Sequence, residues 1–457
     1  MSDHTRNDPH LHRAWCSDVL PYWRSGRPES DLGHCHRRIT WLNFHIRTQD
    51  PTLSKTNADA DTISAVGNWF PPPRYARPTF LLTTSLYWIC LYLYVPILAP
   101  YAEYQGGSLA LVGLVVSAYG LAQLLLRIPV GLFSDRLGRR KPFLALGFTA
   151  SIVACIWFVY APTPWSMVGA RFVSGISACA WVAFTVLFSS YFPSSHTTRA
   201  MGYITFCNTL SVMGATFLGG QIAESFGWLA PFWASAGVGV LGLLSLNAIY
   251  ERPSDKSSTQ PSIGRLLSVL KFPELILASI VAALGQYTTF ATIFGFVPNY
   301  AVSIGATKAQ LGILSMVGML TSSLAILVSS SYIVPRLGPR VTVFLSFFAI
   351  TLGTFVLPFI QSVTILYASQ VLAGMGRGAS YPILMGLAIA RLPDGDKATA
   401  MGFFQATYAI GMFAGPVCAG LIGSRWGYPE LFLSTAFVSL LTAFVSLCLP
   451  PKGKQSS

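Results

Sequence analysis

Long apolar stretches recur along the chain, and they restrict its fold more than any other feature of the sequence. About twelve such runs lie between Pro78 and Pro450, for example Leu109–Val130 and Ala400–Ile422. A helix of about 20 residues spans roughly 30 Å, which is the thickness of the hydrocarbon core of a bilayer. A large soluble helical core would need polar faces at helical spacing, and most of these runs have none. The pattern therefore predicts a membrane protein.

The composition and the run lengths narrow the architecture further. The chain is 53% hydrophobic and only 10% charged, whereas soluble domains carry roughly 25% charged residues. Backbone amides in lipid must be hydrogen-bonded internally, so membrane spans are helices or closed β-barrels. Barrel strands are short and alternate between apolar and polar residues, and these runs do neither. The predicted fold class is an all-α membrane protein with twelve transmembrane helices.

Basic residues are distributed unequally between the two sides of the predicted membrane. From Arg74 onward, seventeen Lys and Arg residues fall in segments on the side that holds the start of the chain, and two, Lys308 and Arg425, fall on the other. Lys and Arg concentrate in cytoplasmic loops. We therefore predict a multi-pass protein of the cytoplasmic (cell) membrane with both termini in the cytoplasm. The net charge of +13 is explained by this topology, and no nucleic-acid partner is predicted.

The chain partly repeats itself after two hundred residues. Arg136, Leu137, Gly138 and Arg140 match Arg336, Leu337, Gly338 and Arg340, and Ala200–Gly202 match Ala400–Gly402. The repeat predicts two pseudo-symmetric six-helix halves, residues 77–250 and 273–450, joined by a cytoplasmic linker at 251–272. The linker contains RPSDKSSTQPS, a composition typical of loops. Residues 1–76 lack an apolar run and are predicted to be a disordered cytoplasmic tail, with a second short tail at 451–457.

A dense polar motif lies between the second and third predicted helices. It reads GLFSDRLGRRKP, from Gly131 to Pro142. Two six-helix halves with G-x-x-x-D-R-x-G-R-R after helix two resemble the major facilitator superfamily of secondary transporters. The residues that match the family motif are Gly131, Asp135, Arg136, Gly138, Arg139 and Arg140.

The resemblance implies that this motif is a conformational latch. Asp135 would then lie at the start of predicted helix eleven, near Thr399, where the helix dipole favours a negative charge. The latch would stabilise the state that is closed to the cytoplasm. The alternative is a basic loop that only sets the topology.

Two further segments resemble motifs of the same family. RFVSGIS, with Arg171 and Gly175, resembles its helix-four motif. GMFAGPVCAG resembles its Gly-Pro helix motif, with Gly411, Gly415, Pro416 and Gly420 as the matching residues. In drug/proton antiporters of the family the Gly-Pro motif lies in helix five, where this chain reads SVMGATFLGG without a proline. This departure weakens the interpretation of the chain as an antiporter.

Three arginines fall inside predicted spans: Arg127, Arg171 and Arg377. A charged side chain within the bilayer is costly and is commonly functional. In the family, helices one, four, seven and ten line a central cavity, so Arg171 and Arg377 are predicted to face a substrate. Arg127 either snorkels to the cytoplasmic surface or is functional. For Arg377 the alternative is hydrogen bonding to backbone carbonyls.

Aromatic and amide side chains complete the predicted substrate site. They are Tyr92, Trp181, Gln286, Tyr287 and Tyr381. A cavity lined by aromatic and amide side chains suits an amphipathic organic molecule. For each ring the alternative role is packing between helices.

No Asp, Glu or His lies in the middle of a predicted span, and Glu103 and Glu224, near the outer helix ends, are the nearest candidates for a proton site. The sequence therefore leaves open whether a proton or another ion is coupled to transport. The chain has no phosphate-binding loop of the G-x-x-x-x-G-K-S/T kind. The adjacent His34, Cys35 and His36 are too close together to surround one ion. No metal, no cofactor and no enzymatic activity are predicted.

Together these features predict a monomeric secondary transporter that works by alternating access. Its predicted cargo is a small amphipathic organic compound, a drug or metabolite, moved by efflux. The alternative is uptake or exchange of an organic anion recognised by Arg171 and Arg377. An alternative of another class is a membrane sensor that transports nothing.

Overall fold

The structure is a computed structural model that describes residues 72–193, 196–251, 270–393 and 396–451. The side chains of Leu132, Asp135, Thr198 and Ala398 are also outside the description. The predicted N-terminal tail up to residue 71, linker residues 252–269 and residues 452–457 lie outside the described residues, and so does the His34–His36 segment.

The described chain is helical throughout and contains the following elements in order. The first six are α1a (Ala76–Tyr92) with α1b (Val95–Tyr104), α2 (Leu109–Leu137), α3 (Lys141–Val159), α4a (Pro164–Cys179) with α4b (Trp181–Ser189), α5 (Thr197–Phe226) and α6 (Ala230–Ser245). The next six are α7a (Pro273–Ala291) with α7b (Val297–Ser303), α8 (Lys308–Val328), α9 (Val334–Phe355), α10 (Val363–Ile389), α11 (Lys397–Trp426) and α12 (Tyr428–Ser446). Two π turns, Thr292–Phe296 and Ser329–Ile333, precede α7b and α9, and short 3₁₀ turns follow α6 and α9 at Leu246–Ala248 and Leu357–Phe359. We call α1–α6 the N-terminal helices and α7–α12 the C-terminal helices.

These helices confirm the prediction of an all-α membrane protein. Among the described residues, nine helical stretches are long and apolar enough to cross a membrane. One of them, Lys308–Phe359, runs through both α8 and α9. Helices α5 and α10 are not among the nine, although they are 30 and 27 residues long. The count of twelve spans, like the bounds of the two halves, stays a prediction.

Local sequence signals explain where the helices begin. Proline stands in the first turn of several helices, including α3, α4a and α12, where its missing N–H would have no helical partner in any case. Thr307 and Gln310 form a reciprocal capping box at the start of α8. Thr163 accepts from the Ser166 amide at the start of α4a.

Helix α9 is interrupted at Gly338, and α1, α4 and α7, which are among the helices predicted to line a cavity, are each divided into two. Helix α1 breaks just before Pro96 and α7 just before Pro298, because proline removes a backbone hydrogen bond and clashes with the preceding turn. Helix α4 breaks at Ala180 without a proline, and we have no physical account of that break. Broken helices expose backbone groups, which membrane proteins tolerate where a cavity or another helix lies alongside.

Glycine pairs show the internal repeat in the backbone. Gly138 and Gly338 have φ of 66° and 79°, and Gly227 and Gly427 have φ of 88° and 97°. These left-handed conformations are strained for any residue with a side chain. The members of each pair are two hundred residues apart, which is the spacing of the repeat found in the sequence.

The bundle has two ends, which we name after residues that mark them. The Glu103 end holds the close of α1b and the start of α2, and the Arg139 end holds the turn between α2 and α3. The Arg139 end is the one predicted to be cytoplasmic. Helix α2 packs against α11, and α5 against α8, along the boundary between the N-terminal and C-terminal helices.

Candidate functional site

Arg171 is buried in the N-terminal helices and joins three of them. Its side chain is 3% exposed. Its Nη1 atom donates to the Tyr94 hydroxyl at 3.2 Å and to Ser174 Oγ at 3.3 Å. Its guanidinium carbon lies 4.4 Å from the centre of the Tyr119 ring, a cation–π distance. Arg171 therefore holds α1, α2 and α4 together, and its buried Nε has no hydrogen-bond partner among the described atoms.

Arg127 does not snorkel to a membrane surface. It is 9% exposed, and its Nη1 donates to Gln123 Oε1 at 2.8 Å and to the Tyr408 hydroxyl at 3.1 Å. Tyr408 belongs to α11, so this arginine bridges the N-terminal and C-terminal helices. Of the two alternatives considered for Arg127, snorkelling is the one that the structure contradicts.

Arg377 lies at the middle of α10 and has an unsatisfied guanidinium. Its Nη2 is buried and makes no hydrogen bond to any described atom. It lies beside Gly318 of α8, where an added Cβ would be 3.3 Å from Nη2 and 2.9 Å from Ile293. The alternative of bonds from this side chain to backbone carbonyls finds no support among the described residues.

The carboxylates of the described chain lie far along the helices from these arginines. Glu103 and Glu224 occur in the last turns of α1b and α5, and Glu274 and Glu430 in the first turns of α7a and α12. Asp396 is the N-cap residue at the start of α11, and Glu251 lies after the 3₁₀ turn that follows α6. Glu274 forms an ion pair with Arg391 at a helix end. Within the described residues, the three intramembrane arginines are therefore not neutralised by any carboxylate.

Aromatic rings connect the N-terminal and C-terminal helices around the middle of the bundle. The Tyr92 and Phe294 ring centres are 6.2 Å apart, and those of Tyr119 and Phe290 are 6.3 Å apart. Tyr92 also packs on Trp88, which in turn contacts Trp181. The structure thus brings together Tyr92 and Trp181, as well as the Tyr119 ring beneath Arg171.

The other predicted site residues form a separate group near α11. Tyr381 packs edge-on against Tyr408 with ring centres 6.0 Å apart, and it also contacts Phe404. Gln286 and Tyr287 are partly buried on α7a. The backbone of Tyr287 lies directly against Gly411 and Gly415, so this residue belongs in part to helix packing.

The Gly-Pro motif of α11 serves close helix approach. An added Cβ at Gly415 would overlap the backbone of Tyr287 in α7a, and one at Gly420 would lie 2.5 Å from the Leu109 carbonyl oxygen. The Pro416 carbonyl in turn meets Gly113 of α2. Small residues let membrane helices pack at such short separations. The motif therefore lets α11 pack closely against both α7 and α2.

The basic loop motif is partly visible at the Arg139 end. Arg140 donates its backbone N–H to Glu251, and Lys141 donates to Glu251 Oε2 at 3.2 Å, at the start of α3. Arg140 Nη1 also donates to Ser134 Oγ at 2.5 Å, whereas Arg136 and Arg139 are exposed. Because the Asp135 side chain is outside the description, the latch stays a prediction.

At the Glu103 end, acidic side chains join the two sets of helices. The Glu103 carboxylate accepts from the Asn299 amide at 2.5 Å and from the Tyr428 hydroxyl at 3.0 Å. Glu224 Oε2 accepts from the backbone amides of Lys308 at 2.8 Å and Ala309 at 3.3 Å. Both residues considered as proton sites therefore contact helices across the boundary.

The sequence did not identify several of these contacts. Tyr119, Gln123 and Asn299 carried no motif, and Glu251 was assigned only to the linker. One signal was present, because Gln123 and Arg127 are four residues apart and so face each other on one helix. In the described part of the chain, no cluster of three His, Cys, Asp or Glu side chains could hold a metal ion.

Known proteins resemble this chain both in sequence and in fold. A sequence profile of the Major Facilitator Superfamily matches residues 80–300 and 275–457. An uncharacterised MFS-type transporter of Methanocaldococcus jannaschii is 25% identical over 77% of this chain and 92% of its own length. The crystal structure of the nucleoside transporter NupG superposes with a TM-score of 0.63 at 17% identity, over 81% of this chain and 98% of that chain. The human organic anion transporter MFSD10 gives 0.61 at 18% identity, over 82% and 100%. These two structures share the fold.

Proposed function

The chain belongs to the major facilitator superfamily, and on this basis we propose that it carries a small amphipathic organic anion across the membrane by alternating access. In such transporters the substrate binds near the middle of the membrane, between two groups of helices that rock about it. We expect the substrate to bind near Arg377, Arg171 and the rings around Tyr92, because α10, α4 and α1 are among the helices predicted to line the cavity.

One observation carries the proposal: the buried Nη2 of Arg377 has no partner among the described atoms. A buried, unpaired cation in a membrane helix is costly and must be compensated by water, a polar group or an anion. No described carboxylate is available, because those residues lie at helix ends. A substrate carboxylate or phosphate would supply the missing acceptor, and a guanidinium can bind either group through two parallel hydrogen bonds.

The surrounding rings define the rest of the substrate. Tyr92, Phe290 and Phe294 offer apolar faces on both sides of the boundary between the helix sets. A ligand with an aromatic or aliphatic body would bury apolar surface against them while its anionic group reaches Arg377. The description of MFSD10 as an organic anion transporter is consistent with this class of substrate.

Efflux of an uncharged amphipathic compound is the second candidate. The aromatic contacts favour it, because they need no charge on the ligand. In that case Arg377 would be hydrated in the cavity and would contribute little to affinity.

The test is flux in proteoliposomes with three compounds that share one aromatic body and carry a carboxylate, a carboxamide or an amine. We expect the wild-type protein to transport the carboxylate fastest. Arg377→Lys should lower the carboxylate flux at least ten-fold and change the carboxamide flux far less, because lysine keeps the charge but loses the bidentate geometry. Arg391→Lys, at an exposed helix end, is the matched control.

Equal losses for all three compounds would overturn the anion proposal and favour the second candidate. Binding of the carboxylate without flux would instead favour a sensor. Repeating the assay with and without a pH gradient tests whether protons drive transport.

A further inference from the structure

A crevice lies between α8, α9 and α10, and Arg377 is not among the residues that line it. Its volume is about 350 Å³, and small residues form its floor: Ala325, Ser346, Gly376 and Ala379. Its rim is formed by large apolar side chains that face outward, namely Leu324, Leu345 and Met375, which are 54%, 45% and 51% exposed. The crevice therefore opens towards the hydrocarbon of the bilayer.

The polar atoms of the crevice are already satisfied by their own helices. Thr321 donates to the Val317 carbonyl at 2.8 Å, Thr342 to that of Gly338 at 2.7 Å, and Ser346 to that of Thr342 at 2.7 Å. These hydroxyls have no need of a ligand. The surface that remains is hydrocarbon, which fits an acyl chain and does not fit a polar metabolite.

The crevice follows from a difference between the two halves of the repeat. Gly113 of α2 and Gly312 of α8 are 199 residues apart, whereas Gly138 and Gly338 of the later turn are 200 residues apart. The π turn Ser329–Ile333 lies between these points, and a π turn holds one more residue than the α-helix it interrupts. Before the π turn, at a shift of 199 residues, Ala325 of the crevice matches Leu126. After it, at a shift of 200 residues, Ser346 matches Leu146. At these two positions the C-terminal helices have the smaller side chains.

Ile333 and Thr342 mark one end of the crevice, which we call its mouth, and two arginines lie between them in the sequence. Helix α9 is interrupted at Gly338, and the residues on either side of this break include Arg336 and Arg340. Arg336 is exposed and donates to the Tyr332 carbonyl at 3.2 Å. Neither arginine forms an ion pair with another described residue, and where the N-terminal loop has Asp135 this turn has Pro335. The mouth is therefore positively charged.

We propose that this crevice is a specific site for one anionic phospholipid. An acyl chain occupies the space over Gly376 and Ala379, and the headgroup phosphate contacts Arg336 and Arg340. The combination of a hydrocarbon slot and unpaired basic residues at its end matches the two parts of such a lipid. Because Gly376 precedes Arg377 on α10, occupancy of the crevice supports the helix that carries the unpaired guanidinium. The site itself does not depend on the proposed substrate.

The experiment measures lipid binding to the full-length protein in detergent by native mass spectrometry. The probes are phosphatidylglycerol, phosphatidylcholine with the same acyl chains, and glycerol phosphate, which has the charged group alone. We expect one tightly bound phosphatidylglycerol per chain, weaker binding of phosphatidylcholine and none of glycerol phosphate.

Two variants separate the two parts of the site. The double variant Arg336→Gln with Arg340→Gln should weaken the binding of phosphatidylglycerol about 25-fold, since each basic residue near an anionic headgroup contributes roughly five-fold to affinity. It should leave the binding of phosphatidylcholine unchanged. The double variant Ala325→Leu with Ser346→Leu introduces the larger residues found at the matching positions of the N-terminal half. It should weaken the binding of both lipids, because the leucines would fill the crevice. The matched control, Arg199→Gln with Arg391→Gln, removes the same charge elsewhere on the predicted cytoplasmic face.

The outcomes distinguish a site from general membrane contact. Equal binding of the two phospholipids by the wild-type protein would overturn the proposal. So would equal weakening of phosphatidylglycerol by the control and by the Arg336/Arg340 variant, since that would reflect total charge. Binding of glycerol phosphate as tight as that of phosphatidylglycerol would show a phosphate site without an acyl slot, which also overturns it.

Discussion

The side-chain amide of Asn299 donates a 2.5 Å hydrogen bond to the carboxylate of Glu103, although the two residues are 196 positions apart. Glu103 lies in the last turn of α1b and Asn299 belongs to α7b, so the bond joins the N-terminal and C-terminal helices. Tyr428 at the start of α12 donates to the same carboxylate. In a carrier that works by alternating access, contacts of this kind break when the helices separate at that end. They therefore stabilise the state closed at the Glu103 end.

Glu103→Gln should shift the protein towards the state that is open at the Glu103 end. A hydrogen bond to a charged group is worth about 1.5–3 kcal/mol, so even partial loss changes the population about five-fold or more. Spin labels introduced by Tyr104→Cys and Ser303→Cys, at exposed positions on α1b and α7b, would report the longer distance. Glu430→Gln, at an exposed carboxylate of the same end, is the control. Identical distance distributions in both variants would reject this role for Glu103.

Gly415→Ala should destabilise the protein, because its new methyl group would meet the backbone of Tyr287, which cannot move aside as a flexible side chain could. Overpacking of this kind costs about 1–3 kcal/mol. Gly402→Ala, on the same helix but with open space around it, should be neutral or slightly stabilising because alanine favours helix. The thermal unfolding midpoints of the two variants in detergent provide the comparison. Equal midpoints would show that the α7–α11 contact is not tight.

Tyr408→Phe should weaken the boundary between the helix sets, because Arg127 then keeps only Gln123 as a hydrogen-bond partner. The expected loss is about 1.5–3 kcal/mol, the usual range for a bond to a charged group. A double-mutant cycle with Arg127→Gln isolates the pairwise energy from other effects of each substitution. Additive losses of stability in the cycle would mean that the two side chains do not interact.

Much of this fold could be predicted from the sequence because membrane helices leave strong local signals. The apolar runs mark the helices, and the breaks of α1 and α7 fall at Pro96 and Pro298, where the chain cannot continue a helix. The charge of Arg171 and Arg377 within apolar runs was enough to mark them as unusual. These are local properties that need no knowledge of neighbouring helices.

The contacts of the candidate site could not be predicted in the same way. For Arg127 the sequence left snorkelling and a functional role as alternatives. The position of a residue along a helix does not reveal which neighbouring helix its side chain faces. Its partner Tyr408 is 281 residues away. Glu251 was assigned to a linker, since a carboxylate that caps a helix 111 residues away leaves no periodic trace in the sequence. Such pairings are set by tertiary packing.

The Glu251 carboxylate accepts hydrogen bonds from the backbone amides of Arg140 and Lys141 at the start of α3. A negative charge at a helix N-terminus stabilises the helix by about 0.3–2 kcal/mol, so Glu251→Gln should loosen the first turn of α3 and the loop before it. Hydrogen exchange followed by mass spectrometry should show amides near Lys141 exchanging about two- to thirty-fold faster. Glu274→Gln, which removes a carboxylate paired with Arg391 at the start of α7a, should leave these amides unchanged. Equal exchange near Lys141 in the wild-type protein and in Glu251→Gln would mean that the carboxylate does not hold the loop, and that other contacts fix the start of α3.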